Sequence, residues 1–290
     1  MTAPAVLTVH ATGPLALVQD LGRPGLAGVG VGRSGAADRG ALRLGNRMLG
    51  NPEGAATVEV TLGGLEVEVG GRGLTFCVTG AVGEVSVDGR PVGTHTVEHA
   101  PVGSRVRLGT PSDGLRSYLA VRGGLAVPPV LGSAARDVLA GLGPDPLEPG
   151  VVLTVGEVPE QEVPGTDHVP WPRLDDDVVL HAVRGPRAEW VTDADLLVSR
   201  AWQVTDRSNR VGVRLAGAAF APARTDQLPS EGTWRGAVQV PPSGEPVLFL
   251  ADHPVTGGYP VVAVVVDADV DRAAQLRPGG SVRFRWVDAP

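Results

Sequence analysis

The sequence predicts an all-β protein with a few short helices, and three observations carry the prediction. Apolar residues fall in valine-rich runs of strand length, each closed off by glycine or proline. The 290 residues include 41 glycines and 26 prolines while 42% are hydrophobic, a composition that makes many turns and still fills a core. Asp88-Gly89, between Val85-Ser86-Val87 and Pro91-Val92, is the dipeptide of a two-residue hairpin whose turn needs positive φ at both positions.

Taken in order, the strand-like runs are 6–9, 65–69, 84–87, 117–121, 151–155, 178–183, 247–250, 261–266 and 281–287. The clearest helix covers 36–49: Ala37, Ala41, Leu44 and Met48 share a face, and Gly50-Asn51-Pro52 ends it. A second is expected over 269–276, opened by aspartates and closed before Pro278-Gly279, with a further single turn near Trp190. The stretch 159–172, rich in proline and acidic or polar residues, reads as a linker between domains at 1–165 and 173–290, each long enough for its own core.

Charge and composition exclude several functions. A net charge of -7 with scattered arginines is not a nucleic-acid footprint. All 25 basic residues are arginine, so this chain cannot supply a phosphate-binding P-loop lysine, a Schiff-base lysine or a biotinylated lysine. The single cysteine, Cys77, lies in the apolar run 74–78 and reads as a small core residue. The first twenty residues lack the basic start of a leader, and no apolar run reaches membrane-spanning length, which points to a cytoplasmic setting without a membrane partner. His95 and His99 share the spacing of a helical zinc pair but lie in a strand- or loop-like segment, so no metal site is expected.

Polar residues gather where a core would not place them. Asp20 and Arg23 flank a tight turn; Arg23 could clamp a carboxylate or phosphate, or the turn could simply be held by its aspartate. The glycine-rich segment 31–38 leads into the first helix, where exposed N–H groups suit an anion but Asp38 suits a cap. Asn46, Arg47 and Glu59 add polar groups that could converge nearby. The block 206–210 offers several guanidinium forks. The densest cluster runs from Leu228 to Pro260, with Ser230-Glu231, Gln239, Asp252-His253 and Gly257-Gly258-Tyr259, where a glycine pair lets backbone approach a ligand.

These blocks, "VQDLGRPG", "SGAAD", "GNRMLGNPEGAATVEV", "RSYLAVRGGLAVPPVLGS", "RSNRVGVRLAG", "LPSEGTWRGAVQVPPSGEPVLFLAD" and "VTGGYPVVAVV", occur in an order that resembles the allophanate hydrolase subunit 2 family, also called biotin-dependent carboxyltransferase. That family includes the C subunit of bacterial 5-oxoprolinase and a Kip-type antagonist, and the carboxyltransferase region of urea carboxylase is similar. The resemblance implies two cyclophilin-like β-barrel domains, and as partners a B subunit of the kinase-inhibitor type and a lamB-like A subunit. Carried over by motif position, Asp252 and Glu231 would be catalytic, and Asp20, Arg23, Ser34, Asp38, Asn46, Gln239, Gly257, Gly258 and Tyr259 substrate-binding.

The function so implied is that of the C subunit of an ATP-dependent 5-oxoprolinase, a lactam hydrolase active only with its partners, with ATP bound by those partners. Biotin-dependent carboxyl transfer to a urea-like nitrogen, with biotin on a separate carrier, is the alternative, and a non-enzymatic regulator that binds a kinase-inhibitor protein is a third. Departures from the family pattern fall at Gly132-Ser133-Ala134-Ala135-Arg136, at Asp252-His253-Pro254-Val255 and at Asn209.

Overall fold

The computed structural model describes residues 4–166, 168–170 and 177–288. They cluster into two compact units. The first takes the residues up to Arg23, Asp38–Arg136 and those from Gly141 to 170; the second takes Pro24–Ala37, Asp137–Ala140 and those from 177 on. Two segments that precede the expected linker, 24–37 and 137–140, therefore group with the second unit. The linker itself lies partly outside the described residues. Its described part is fastened to the first unit, where Arg122 Nη2 donates to the Pro159 carbonyl (3.1 Å) and Val169 N–H to the His95 carbonyl (3.0 Å).

The first unit contains β1 (Val6–Thr12), β2 (Leu15–Gln19), α1 (Arg39–Met48), β3 (Thr57–Thr61), β4 (Leu65–Gly70), β5 (Leu74–Val87), β6 (Arg90–Val92), β7 (Val97–Ala100), β8 (Arg105–Val121) and β9 (Val152–Thr154). Its antiparallel sheet runs β2-β3-β8-β4-β1-β9, with β5 pairing β6, β7 and β8, and it curls as a half-barrel. The runs 84–87 and 117–121 are the ends of the long strands β5 and β8, whose register slips at bulges between Gly80 and Val85 and so lets them bend. Period-two alternation sends Leu65, Val67 and Val69 of β4 into the core. The β5–β6 hairpin turns at Asp88 (φ 50°) and Gly89 (φ 77°), as the dipeptide requires.

Helix α1 starts at Arg39, later than its pattern suggested, because Asp38 is extended and its carboxylate accepts from the Ala41 N–H at 2.8 Å as an N-cap. Gly45 lets the helix lie close on the sheet: a Cβ there would stand 3.0 Å from the Ala120 Cβ. Cys77 is a core residue beside Met48 and Leu49, and burial pushes its thiol up to about 12.

The second unit contains β10 (Asp177–Arg184), α2 (Leu196–Ser199), β11 (Ala201–Val204), β12 (Gly212–Ala216), β13 (Glu231–Gly232), β14 (Ala237–Gln239), β15 (Val247–Phe249), β16 (Thr256–Gly257), β17 (Val261–Val265), α3 (Asp267–Ala273) and β18 (Ser281–Trp286). Seven strands close a barrel in the order β10-β17-β14-β15-β12-β11-β18, completed by parallel pairing of β10 with β18. Closure satisfies strand edges that an open sheet leaves bare. Strands β13 and β16 form a separate two-stranded ribbon. A short 3₁₀ turn at Ala188–Trp190 stands where a single turn was expected. Helix α3 opens two residues earlier than its aspartates suggested, and Asp269 accepts from the His181 N–H (2.7 Å) instead of capping its own helix.

Candidate functional site

In the first unit, Asp20 and Arg23 grip one loop instead of each other. Asp20 accepts from Gly22 N–H (2.7 Å), Ser133 Oγ (2.6 Å) and Ala134 N–H (2.8 Å). Arg23 donates from Nε to the Val130 carbonyl (3.3 Å) and from Nη2 to the Ala135 carbonyl (2.5 Å). Arg23 is fully buried, and its Nη1 has no hydrogen-bond partner among the described residues. That leaves the two N–H donors of this nitrogen available to an anion or a water. Asn46, carried over as substrate-binding, bonds within the unit: its Nδ2 ties the carbonyls of Glu53 (3.1 Å) and Ala55 (2.8 Å), and its Oδ1 accepts from Asn51 (3.1 Å).

Asp38 joins a buried polar chain that no local pattern announces. Its N–H donates to Tyr118 Oη (2.8 Å), and the Tyr118 hydroxyl donates to Glu59 Oε2 (2.8 Å). Arg116 Nε lies 3.7 Å from Glu59 Oε1, both side chains buried. Burial, then the charges of Glu59 and Asp38, hold the Tyr118 phenol well above its ordinary value, so it remains a donor.

In the second unit, Asp252, expected to be catalytic, is enclosed by hydrogen-bond donors. Oδ1 accepts from Ser34 Oγ (2.6 Å) and Arg210 Nη2 (3.1 Å), and Oδ2 from Arg210 Nε (2.9 Å) and Val138 N–H (3.0 Å). With about four acceptor sites filled, such a carboxylate has none left for a substrate water. Ser34 is likewise a member of this buried knot, and Arg210 also holds the Gly35 carbonyl (2.6 Å).

The remaining residues converge. Glu231 pairs with Gly257 across the β13–β16 ribbon and forms a fork-to-fork ion pair with Arg187, both half-buried. Gln239 Nε2 donates to the Tyr259 carbonyl (3.0 Å), and a Cβ on Gly257 would lie 2.7 Å from that nitrogen, so glycine is needed for the amide to reach its target. Gly258 and Tyr259 then form part of the wall of a cavity of about 380 Å3 within this unit. The cavity is largely apolar, and Trp190 and Phe220 also line it. A carboxylate held on a guanidinium beside an apolar pocket can orient water or a hydrogen-bond donor of a small molecule, once exchanged from its partner. Sequence reasoning missed Arg187 and Tyr118, whose partners are remote in the chain, and saw Arg210 only as one of several forks.

Comparison with known proteins adds a family context. A family model described as carboxyltransferase domain, subdomain A and B, matches residues 29–286. The 5-oxoprolinase C subunit of Escherichia coli (strain K12) is 35% identical over 286 residues, covering 96% of this chain and 90% of that protein. Urea amidolyase of Lachancea kluyveri is 30% identical over 314 residues, but the match spans only 17% of its length. The crystal structure of Kluyveromyces lactis urea amidolyase superposes with a TM-score of 0.91 at 26% identity, over 99% of this chain and 19% of that one.

Proposed function

This chain belongs to the carboxyltransferase domain family, subdomains A and B, and from that premise we propose that it is the C subunit of an ATP-dependent 5-oxoprolinase, opening the lactam of 5-oxoproline to glutamate with partner subunits. The observation that carries the reading is the match to a 5-oxoprolinase C subunit over 90% of that protein's length, whereas the urea amidolyase match spans a small fraction of a much larger chain. The partners in this reading are a B subunit of the kinase-inhibitor type and a lamB-like A subunit, in the cytoplasm.

The residues of this chain do not fit a nucleotide cradle. The N-terminus of α1, where a phosphate could meet free N–H groups, is occupied by the Asp38 carboxylate, and the chain has no lysine. ATP is therefore assigned to the partner subunits. What this chain contributes is binding and orientation: an unstrained amide resists water at neutral pH, so its opening needs donors for developing negative charge and a carboxylate to steer the attacking water. Glu231 is the half-exposed carboxylate of the converging cluster and takes the water-steering role; Gln239, Gly257, Gly258 and Tyr259 shape the wall beside it. Asp252 acts by position, holding Ser34 and the 137–140 segment.

The test is to purify the chain with its companion subunits and measure glutamate formed from 5-oxoproline and ATP. Activity that needs all subunits and falls at least about tenfold in Glu231→Gln is expected; no glutamate from the complete set would overturn the reading. The family model and the urea amidolyase superposition favour a second reading, carboxyl transfer from biotin on a separate carrier. It predicts bicarbonate- and carrier-dependent carboxylation of urea in place of glutamate formation.

A further inference from the structure

The walls of the cavity in the second unit are fixed by hydrogen bonds. One wall is a short ladder in which Val191 bridges Pro222, Thr192 N–H donates to the Ala221 carbonyl (3.0 Å) and Ala223 N–H to the Trp190 carbonyl (2.8 Å). Phe220 in that wall stacks on the buried Trp202, with centroids 5.6 Å apart and an interplanar angle of 1°. The facing wall is fixed by Gln239 on the Tyr259 carbonyl and by Val240 N–H on the Pro260 carbonyl (3.0 Å). Pro222, Pro241, Pro242 and Pro260 add rigid rings to the lining. Its volume, about 380 Å3, falls at the lower end of the roughly 300–1,000 Å3 usual for small-molecule sites. Walls that are hydrogen-bonded or locked by prolines in advance spare a ligand the entropy of ordering them.

The lining contains one guanidinium among the described residues, that of Arg224. Its guanidinium lies over the Trp190 ring, 4.7 Å from the centroid, and grips Asp226 with Nε–Oδ1 3.0 Å and Nη2–Oδ2 2.7 Å. The arginine is thus oriented by the ring and already presents its fork to a carboxylate. The pair is half exposed, 49% and 55%, and a pair standing in water contributes little, so an incoming carboxylate can exchange for that of Asp226.

We propose that this pocket binds a small ring-bearing carboxylic acid, with the ring against Trp190, Phe220 and Tyr259 and the carboxylate on Arg224 in exchange for Asp226. It rests on the lactam reading only for the identity of the natural ligand, since 5-oxoproline is such an acid. Binding is measured on the full chain alone, without ATP or partners, by titration calorimetry. The probes are cyclopentanecarboxylate, L-5-oxoproline and 2-pyrrolidinone, a ring without the acid.

Both acids are expected to bind at least about tenfold more tightly than 2-pyrrolidinone, and Arg224→Gln to remove that preference. Asp226→Asn is the decisive variant: freeing the fork should tighten acid binding by about threefold or more, an effect that a merely structural Asp226 would not give. Equal affinity for the rings with and without the acid, weaker or unchanged binding in Asp226→Asn, or no saturable binding of any probe would overturn the inference. Undiminished glutamate formation in a complex carrying Arg224→Gln would overturn 5-oxoproline as the pocket's natural ligand while leaving the proposed function intact. Binding in the expected pattern with no glutamate formation supports the site and sinks only the lactam reading.

Discussion

At the level of single residues, buried charge separates architecture from chemistry. Asp252 and Arg210 are paired in the interior with every carboxylate acceptor site used. Removing one member of such a pair strands the other without a counter-charge, at a cost of roughly 3–5 kcal/mol. Asp252→Asn is therefore expected to shift urea unfolding by about that much, and an unchanged midpoint would show that the knot is not what holds these segments. Tyr118→Phe makes a second case: it deletes the hydroxyl between the Asp38 N–H and Glu59, leaving two buried groups short of a partner. A loss of about 1–3 kcal/mol in the same measurement is expected. Asp252 stood out in the sequence because it ends an apolar strand, Asp38 because it precedes a helix, and Ser34 through the family motif alone. The pairings were not legible, since Ser34 lies 218 positions from Asp252 and Asp38 lies 80 from Tyr118, and no local pattern encodes such contacts.

Among the elements, what was legible depended on how locally each is determined. The Asp88-Gly89 hairpin, the N-cap at Asp38 and the apolar runs are set by neighbours a few residues apart, and the structure has them. The ribbon of β13 and β16 was invisible because each strand is two residues long and exists only through its partner. The same ribbon yields a prediction. Gly257→Ala should push the Gln239 amide off the Tyr259 carbonyl, costing about 1 kcal/mol for the lost hydrogen bond and loosening the cavity wall. Unfolding and faster amide exchange at Val240, whose N–H bonds Pro260, check it. His95, at the turn before β7, gives a pH test. Its buried ring accepts the Gly80 N–H at 3.1 Å, and burial, with His168 nearby, lowers its value from 6.5 to about 4. Because the folded value is the lower one, the stability contributed by neutral His95 is complete above pH 6.5 and lost as pH falls toward 4. His95→Asn, which tolerates the positive φ of 57° there, should flatten that stretch of the stability–pH curve, and an identical curve in the variant would exclude His95 as its source.

On the scale of the whole chain, the all-β class was readable because strand-length runs and turn residues are frequent enough to leave little room for helix. The make-up of the second unit was not, because Pro24–Ala37 and Asp137–Ala140 join it from well before the linker. These segments supply bonds to groups buried in that unit: Ser34 Oγ and Val138 N–H reach Asp252, the Gly35 carbonyl reaches Arg210, and the Ala37 carbonyl accepts from Arg235 Nη2 at 3.0 Å. A fragment of residues 173–290 keeps the strands of the closed barrel but strips Asp252 of two donors and Arg210 and Arg235 of one acceptor each. Orphaned buried hydrogen bonds to charged groups cost roughly 1.5–3 kcal/mol apiece, against a total stability of about 5–15 kcal/mol. The fragment alone is thus expected to lack a cooperative thermal transition by circular dichroism. Joining residues 24–37 ahead of it through a flexible glycine–serine segment should restore one, and Ser34→Ala in the joined chain should lower its midpoint by several degrees, on the order of 4–8 °C per kcal/mol. A fragment of 173–290 that melts cooperatively at the temperature of the joined chain would mean that the barrel owes the 24–37 segment nothing.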